Sequence, residues 1–316
     1  MTHIWAMLAG LAIDWVIGDP EWFPHPVRFI GRYIAWMEAR LRLRGGNLRR
    51  AAVWLTFSTV ALTMIVTAAV LFVLSLLGPW PLFLGEAALS WMCLSSRCLA
   101  REASDVMRAL GRSLAQGRTQ VARIVGRDTA ELTSDEIVRA TIETVAENTT
   151  DGVISPMLYL ALGGPVLAMG FKAASTLDSM VGYLDPKYRD IGWSSARLDD
   201  LLNYIPARIC ALLLCAAAFV LRLDGHNAWR IVRRDHANHK SPNCAWSEAA
   251  VAGALHIRLG GTHLYFGRPV EKPTIGDDDR PATGKDIQSA CRMLYAASAM
   301  MGLIILGVGW LIVRLI

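Results

Sequence analysis

Residues 51–77 read AAVWLTFSTVALTMIVTAAVLFVLSLL, an unbroken apolar run without a single charge. It exceeds the roughly 20 residues needed to cross a hydrocarbon core of about 30 Å. Lipid offers the backbone no hydrogen-bond partners, so such a run crosses as a helix. A second span is predicted over 290–313, ACRMLYAASAMMGLIILGVGWLIV, where one Arg lies near the start. Composition agrees: 53% of the chain is hydrophobic, only 19% is charged, and the mean hydropathy is +0.35.

Three weaker candidates are 79–96 after a Gly-Pro-Trp-Pro turn, 153–174 and 205–223. The second is interrupted by Pro156 and Gly163-Gly164-Pro165, which predicts a broken or re-entrant helix. The expected fold is therefore all-α: a polytopic integral membrane protein with about five transmembrane helices in one domain, 1–316. Its polar segments, 19–50, 97–150, 175–204 and 224–289, are the places for chemistry. The N-terminal run IWAMLAGLAIDWVIG holds Asp14 and lacks a basic leader and an Ala-x-Ala site, so it does not read as a removable signal.

The net charge of +5 does not point to nucleic acid, because the basic residues cluster beside the apolar runs. Arg28, Arg32, Arg40, Arg42, Arg44, Arg49 and Arg50 precede the first span, so that flank is expected on the cytoplasmic side. The Arg-rich 97–139 and the nine Lys or Arg of 224–289 extend the same expectation to those segments. The resulting picture is a multi-pass protein of the cell (inner) membrane, with the bilayer as partner and the site facing the cytoplasm. The six cysteines contain no Cys-x-x-Cys pair and predict neither a disulfide framework nor a metal cluster.

Within 101–148, TSDEIVRATIETVAEN starts at a Thr or Ser cap with Asp135 and Glu136 in its first turn. Glu143 and Glu147 follow at i and i+4, stacking two negative charges on one face, and like charges there repel. A structural Arg, a divalent metal, or a metal carrying phosphates would relieve them. Asp151-Gly152 reads as a turn into the apolar run. A solvated helix end is the plainer alternative.

Residues 172–208 interleave Lys172, Asp178, Arg189, Asp190, Arg197, Asp199, Asp200 and Arg208. Salt-bridge lacing explains such a segment by default, but Asp199-Asp200 beside Arg197 and Asn203 also supplies hard oxygen ligands and a phosphate-competent fork. Pro24 and Pro26 bracket His25 near Arg28 and stiffen its backbone. His236 and His239 stand at i, i+3 without a third ligand at zinc spacing. Ser241, ahead of Pro242, Asn243 and Glu248, reads as a helix cap. No Walker A, G-x-S-x-G, H-E-x-x-H or Rossmann pattern occurs.

Four blocks together, GDPEWFPHPVRFIGR, ETVAENTTDGVISPMLYLALGG, STLDSMVGYLDPKYRDIGWSSARLDDLLNYIPAR and HKSPNCAWSEAAVAGALHIRLGG, resemble the adenosylcobinamide-phosphate synthase (CobD/CbiB) family of cobalamin biosynthesis. They span about residues 11–267 in the family's order. The sequence departs from the family pattern at Cys244-Ala245-Trp246-Ser247-Glu248.

The resemblance implies ATP-dependent amide formation between adenosylcobyric acid and aminopropanol phosphate, or free aminopropanol. ATP would be the co-substrate, with Mg²⁺ as its cation. Placed on the matching blocks, Glu143, Glu147, Asp151, His25 and His239 become candidate catalytic groups. Arg28, Lys172, Arg189, Arg197, Asn203 and Asn243 become candidates for substrate or ATP contacts, and Asp199, Asp200 and Glu147 for metal. Trp22, Trp193, Tyr204 and Trp246 are aromatic candidates for a corrinoid wall. The rival class is an ion-coupled transporter using intramembrane carboxylates. That class predicts an inverted repeat, and none is evident.

Overall fold

The computed structural model describes residues 2–20, 22, 24–183, 185–265 and 267–315, without the side chains of Tyr265 and Arg268. The matching block GDPEWFPHPVRFIGR thus includes two positions, Glu21 and Phe23, outside the described residues. In chain order the elements are α1 (Thr2–Val16), α2 (Pro26–Arg44), α3 (Leu48–Leu76), α4 (Pro79–Cys93), α5 (Ser96–Arg112), α6 (Leu114–Val121) and α7 (Ser134–Thr149). A π-turn, Thr150–Ile154, leads into α8 (Ser155–Val181), α9 (Trp193–Leu202), α10 (Tyr204–Val220), α11 (Gly225–Asp235) and α12 (Cys244–Leu255). Four short strands follow, β1 (Leu259–Gly260), β2 (His263–Tyr265), β3 (Arg268–Val270) and β4 (Thr274–Ile275), and α13 (Gly284–Leu315) ends the chain. The all-α architecture holds.

Among the described residues, three helical stretches are long and apolar enough to span a membrane: Leu48–Leu76, Ser134–Val181 and Gly284–Leu315. A fourth arises only if Trp193–Leu202 and Tyr204–Val220 together form one span. The expected count of about five is not confirmed by helix length and composition. At 15 residues, α4 covers about 22 Å at 1.5 Å per residue, short of the hydrocarbon thickness.

Contacts divide the chain into two compact units, Met1–Ser95, Ser155–Asn203, Ile304–Ile316 and Ser96–Ile154, Tyr204–Leu303. In the first, α1 packs on α4, and α3 on α8, with α2 and α9 against that pair. Gly10 permits the α1–α4 approach, since a Cβ there would stand 2.7 Å from Ser90 Cβ. The outward side of α3 leaves Trp54, Phe57, Ile65, Phe72 and Leu76 exposed, an apolar surface suited to lipid. Its Thr59, Thr63 and Thr67 hydroxyls donate to carbonyls one turn back, while the buried Thr56 hydroxyl has no partner among the described residues.

Within α8 the break falls at Gly163 and Gly164, the latter at φ 63°, as the Gly-Gly-Pro pattern predicts, while Pro156 sits harmlessly in the first turn. The expected turn at Asp151-Gly152 does not form. Asn148 Nδ2 donates to Thr144 O and Thr149 Oγ1 to Val145 O, so the polar side chains are satisfied along the helix, and the chain continues through the π-turn.

In the second unit α12 is the hub. It is buried from Ser247 through Leu255 and packed by α7, α10 and α11. Small side chains allow this: a Cβ on Gly253 would lie 2.8 Å from Asn227 O of α11. The helix starts at Asn243 rather than at Ser241, which instead accepts from the Asn243 amide. α7 opens with a capping box between Thr133 and Glu136, as its sequence predicts. α5, α6 and α7 enclose Val106, Val121, Leu132, Ile137 and Ala140.

The strands form two antiparallel pairs, Leu259 opposite Ile275 and Leu264 opposite Pro269. The GDDDR turn after β4 is a charge clamp. Asp277 meets Arg230 and Arg234, Asp278 meets Arg258, and Asp279 meets His256.

Candidate functional site

The acidic wall predicted on α7 exists, and its surroundings lie in the second unit. Glu143 Oε2 is 3.0 Å from Arg127 Nη2, and its Oε1 accepts from the Gly260 amide at 2.8 Å. Arg127, between α6 and α7, is only 8% exposed and has a buried Nε with no hydrogen-bond partner among the described residues. Of the cations the sequence left open for Glu143, the structure places an arginine there, Arg127. One turn along α7, Glu147 Oε1 accepts from the Cys244 thiol at 3.1 Å.

Four residues beyond Cys244 stands Glu248, a third carboxyl, 6% exposed. Burial, followed by the charges of Glu143 and Glu147, pushes it well above the usual carboxylate range, with Lys272 and Arg127 opposing. A protonated Glu248 leaves two carboxylates facing two cations, Arg127 and Lys272, a balance the buried setting favours. His239 adjoins this group. Burial and Lys272 push its imidazole down while Glu147 and Glu143 oppose, and its Nδ1 accepts from the Ser241 amide at 3.0 Å, which places the neutral ring's proton on Nε2. His263, 7% exposed, has both ring nitrogens buried and unpaired among the described residues. Desolvation and Arg127 push it down to about 4, so it is neutral at physiological pH.

Asp151 lies in the π-turn, half-buried, with its own partners. Asn243 is 5% exposed, stands at the N-cap position of α12 without a side-chain capping bond, and accepts from Arg208 Nη1 at 3.2 Å. His236 ends α11 and His239 lies beyond it, so the i, i+3 pairing of one helix face is lost.

The first unit carries the other candidates. His25 is the N-cap of α2, its Nδ1 accepting from the Val27 amide at 3.3 Å, which gives the Pro-His-Pro stretch a structural reason. Burial, then the Lys172 ammonium, holds it down to about 4. Asp19, 3.9 Å from His25, is pushed up to about 6 by burial, against Lys172. Lys172 Nζ donates to Cys93 O at 3.4 Å. Asn203 is 1% exposed and its amide is engaged at both ends: Oδ1 accepts from Ser155 Oγ at 2.6 Å and Nδ2 donates to Asp199 Oδ2 at 3.0 Å. Asp200 is half-buried beside it, while Arg28, Arg189 and Arg197 reach solvent. Of the aromatic candidates, Trp22, Trp193 and Tyr204 are exposed and Trp246 half-buried.

Arg127, Lys272, His263, Glu248 and Asp19 were not among the sequence candidates. Glu248 and Asp19 had a signal, their places in the HKSPNCAWSEAAV and GDPEWFPHPVRFIGR blocks. Among the described residues no three His, Cys, Asp or Glu side chains converge as a metal-binding group. That donor set still fits Mg²⁺, which keeps water and phosphate ligands and asks only one or two carboxylates of the protein.

Fold and site define a helical membrane protein with a charge-balanced, largely dehydrated carboxylate cluster. The family model described as CobD/Cbib protein matches residues 7–294, and the chain belongs to that family. A cobalamin biosynthesis protein CobD of Listeria monocytogenes serotype 4b is 48% identical over 295 residues, covering 92% of this chain and 94% of that protein. A CobD of Citrobacter koseri is 49% identical, covering 91% and 92%, and a cobalamin biosynthesis protein CbiB of Salmonella typhi is 46% identical, covering 94% of each. No solved structure matches it.

Proposed function

We propose that this chain is a cobalamin biosynthesis enzyme that joins adenosylcobyric acid to aminopropanol phosphate, or to aminopropanol, in an ATP-dependent amide ligation. The observation that carries the reading is the meeting of Glu143, Glu147 and Glu248 with Arg127 and Lys272 in a chain whose relatives bear cobalamin biosynthesis names.

A carboxylate is a poor acyl donor because its leaving group is oxide. Attack of the propionate oxygen on the γ-phosphorus of ATP breaks the bond to ADP and forms an acyl phosphate. The amine nitrogen then attacks the acyl carbon, inorganic phosphate leaves, and the nitrogen gives up its surplus proton. A bound Mg²⁺ would supply neutralisation of phosphate charge, and its candidate carboxylates are Glu147 in the second unit or, separately, Asp199 and Asp200 in the first.

Glu248 and His239 suit the proton work, since burial and neighbouring charges place each away from its ordinary titration range. Arg127 orients Glu143 through a dehydrated ion pair. Asp151 and His25 remain candidate proton carriers, and Arg28, Lys172, Arg189 and Arg197 candidate phosphate contacts. The corrinoid is substrate, reacting at its periphery, and the site is proposed to face the cytoplasm of the cell membrane.

A strain lacking the protein should make cobalamin from supplied cobinamide but not from cobyric acid. Growth on both would overturn the reading.

A further inference from the structure

In the second unit, α10, the start of α12 and the His236–Pro242 loop line a cavity of about 580 Å³, inside the roughly 300–1,000 Å³ usual for small-ligand sites. Its walls are basic and aromatic: Tyr204, Arg208, His236, His239, Lys240 and Trp246. The Arg208 guanidinium carbon lies 3.5 Å from the Tyr204 ring centre and 4.7 Å from that of Trp246, so two π-faces hold its plane. Nη1 donates to Tyr204 O and Asn243 Oδ1, while Nε and Nη2 have no acceptor among the described residues. Neither Arg208 nor Lys240 pairs with a carboxylate among those residues. Trp246 adds a buried Nε1 donor without a partner among the described residues, and its ring packs 4.4 Å from that of His236.

Resting on the ligase reading above, we propose that this cavity binds the phosphate monoester of the amine substrate, with Arg208 and Lys240 as its cations. A guanidinium fixed between aromatic rings, with two donors unspent, is pre-organised for phosphate oxygens. The lining contains no Asp or Glu, so it lacks the carboxylate that a magnesium-borne triphosphate would call for, and a monoester suits it better. His239 joins the cavity to the acidic cluster, since it lines the one and feels the charges of Glu147 and Glu143 in the other. In an aminopropanol phosphate the amine stands two carbons from the ester oxygen. A phosphate held by Arg208 and Lys240 therefore directs the nitrogen toward the groups that must take its proton.

The test uses the full-length protein in lipid nanodiscs. In Arg208→Gln and Lys240→Gln, KM for aminopropanol phosphate should rise by about tenfold or more, while KM for ATP moves by less than about twofold. Lys240 is exposed and makes no structural bond, so its variant keeps the test open if Arg208→Gln fails to fold. A rise in KM for ATP alone would assign the cavity to nucleotide. Equal loss with aminopropanol and its phosphate would remove the phosphate role, and loss that follows only anionic lipid in the disc would assign it to a headgroup. Each of these overturns the proposal. Calorimetric titration with aminopropanol phosphate separates this idea from the ligase reading. Should the wild-type protein yield no amide, binding lost in both variants still supports the cavity, and unchanged binding overturns it.

Discussion

Arg127 Nη2 meets Glu143 Oε2 at 3.0 Å, with the two side chains only 4% and 15% exposed. The pair joins the loop before α7 to the helix face that carries the acidic wall. Removing one member of a buried pair leaves an uncompensated charge, which costs about 3–5 kcal/mol. Arg127→Met should therefore lower Tm sharply, and adding Glu143→Gln should recover much of the loss. Tm values of the single and double variants, measured in one detergent, check this.

Glu248 gives the stability a pH signature. Its folded-state value lies above the unfolded one, so the native state binds the extra proton between the two. The contribution is fully present below the ordinary carboxylate value and is lost as pH rises through the folded value. Glu248→Gln should flatten that decline. Thermal unfolding from about pH 5 to 9 measures the slope, and an unchanged slope in the variant would contradict the assignment.

Asn203 links Ser155 and Asp199 inside the first unit. Asn203→Ala should destabilise by about 1–3 kcal/mol, because buried groups lose partners. Asn203→Asp should cost more, as it sets a second carboxylate beside Asp199. If both variants keep wild-type Tm but raise KM for a substrate, the amide is a ligand contact rather than a strut.

Asp277 holds Arg230 and Arg234, and these bonds keep its carboxyl below the usual range. The support this clamp gives the turn is present above the ordinary carboxylate value and is lost as pH falls through the lower, folded value. Asp277→Asn should expose residues 276–282 to faster amide exchange at neutral pH and leave α12 protected. Exchange mass spectrometry reads both regions.

The lipid-spanning α3 was legible because an uncharged run of that length admits one structure, and the α7 cap because Thr133 and Glu136 stand at capping-box spacing. Glu143 and Glu147 were legible as neighbours from helical periodicity alone. Arg127, Lys272 and His263 were not, because they come to the cluster from loop and strand positions that no local pattern ties to α7. Asp151-Gly152 misled because turn-forming residues continue a helix when the adjacent side chains bond back along it, as Asn148 and Thr149 do. His25 was legible as unusual, but its bond to the Val27 amide shows how a cap and a catalytic residue read alike in sequence.

The central claim is ATP-dependent amide formation at the Glu143–Glu147–Glu248 cluster. Purified protein supplied with adenosylcobyric acid, aminopropanol phosphate, ATP and Mg²⁺ should release one ADP per adenosylcobinamide phosphate, followed by mass spectrometry. Glu147→Gln should abolish both signals while retaining a wild-type melting profile. Wild-type protein that remains folded yet yields no amide product, or Glu147→Gln protein that turns over normally, would contradict the account.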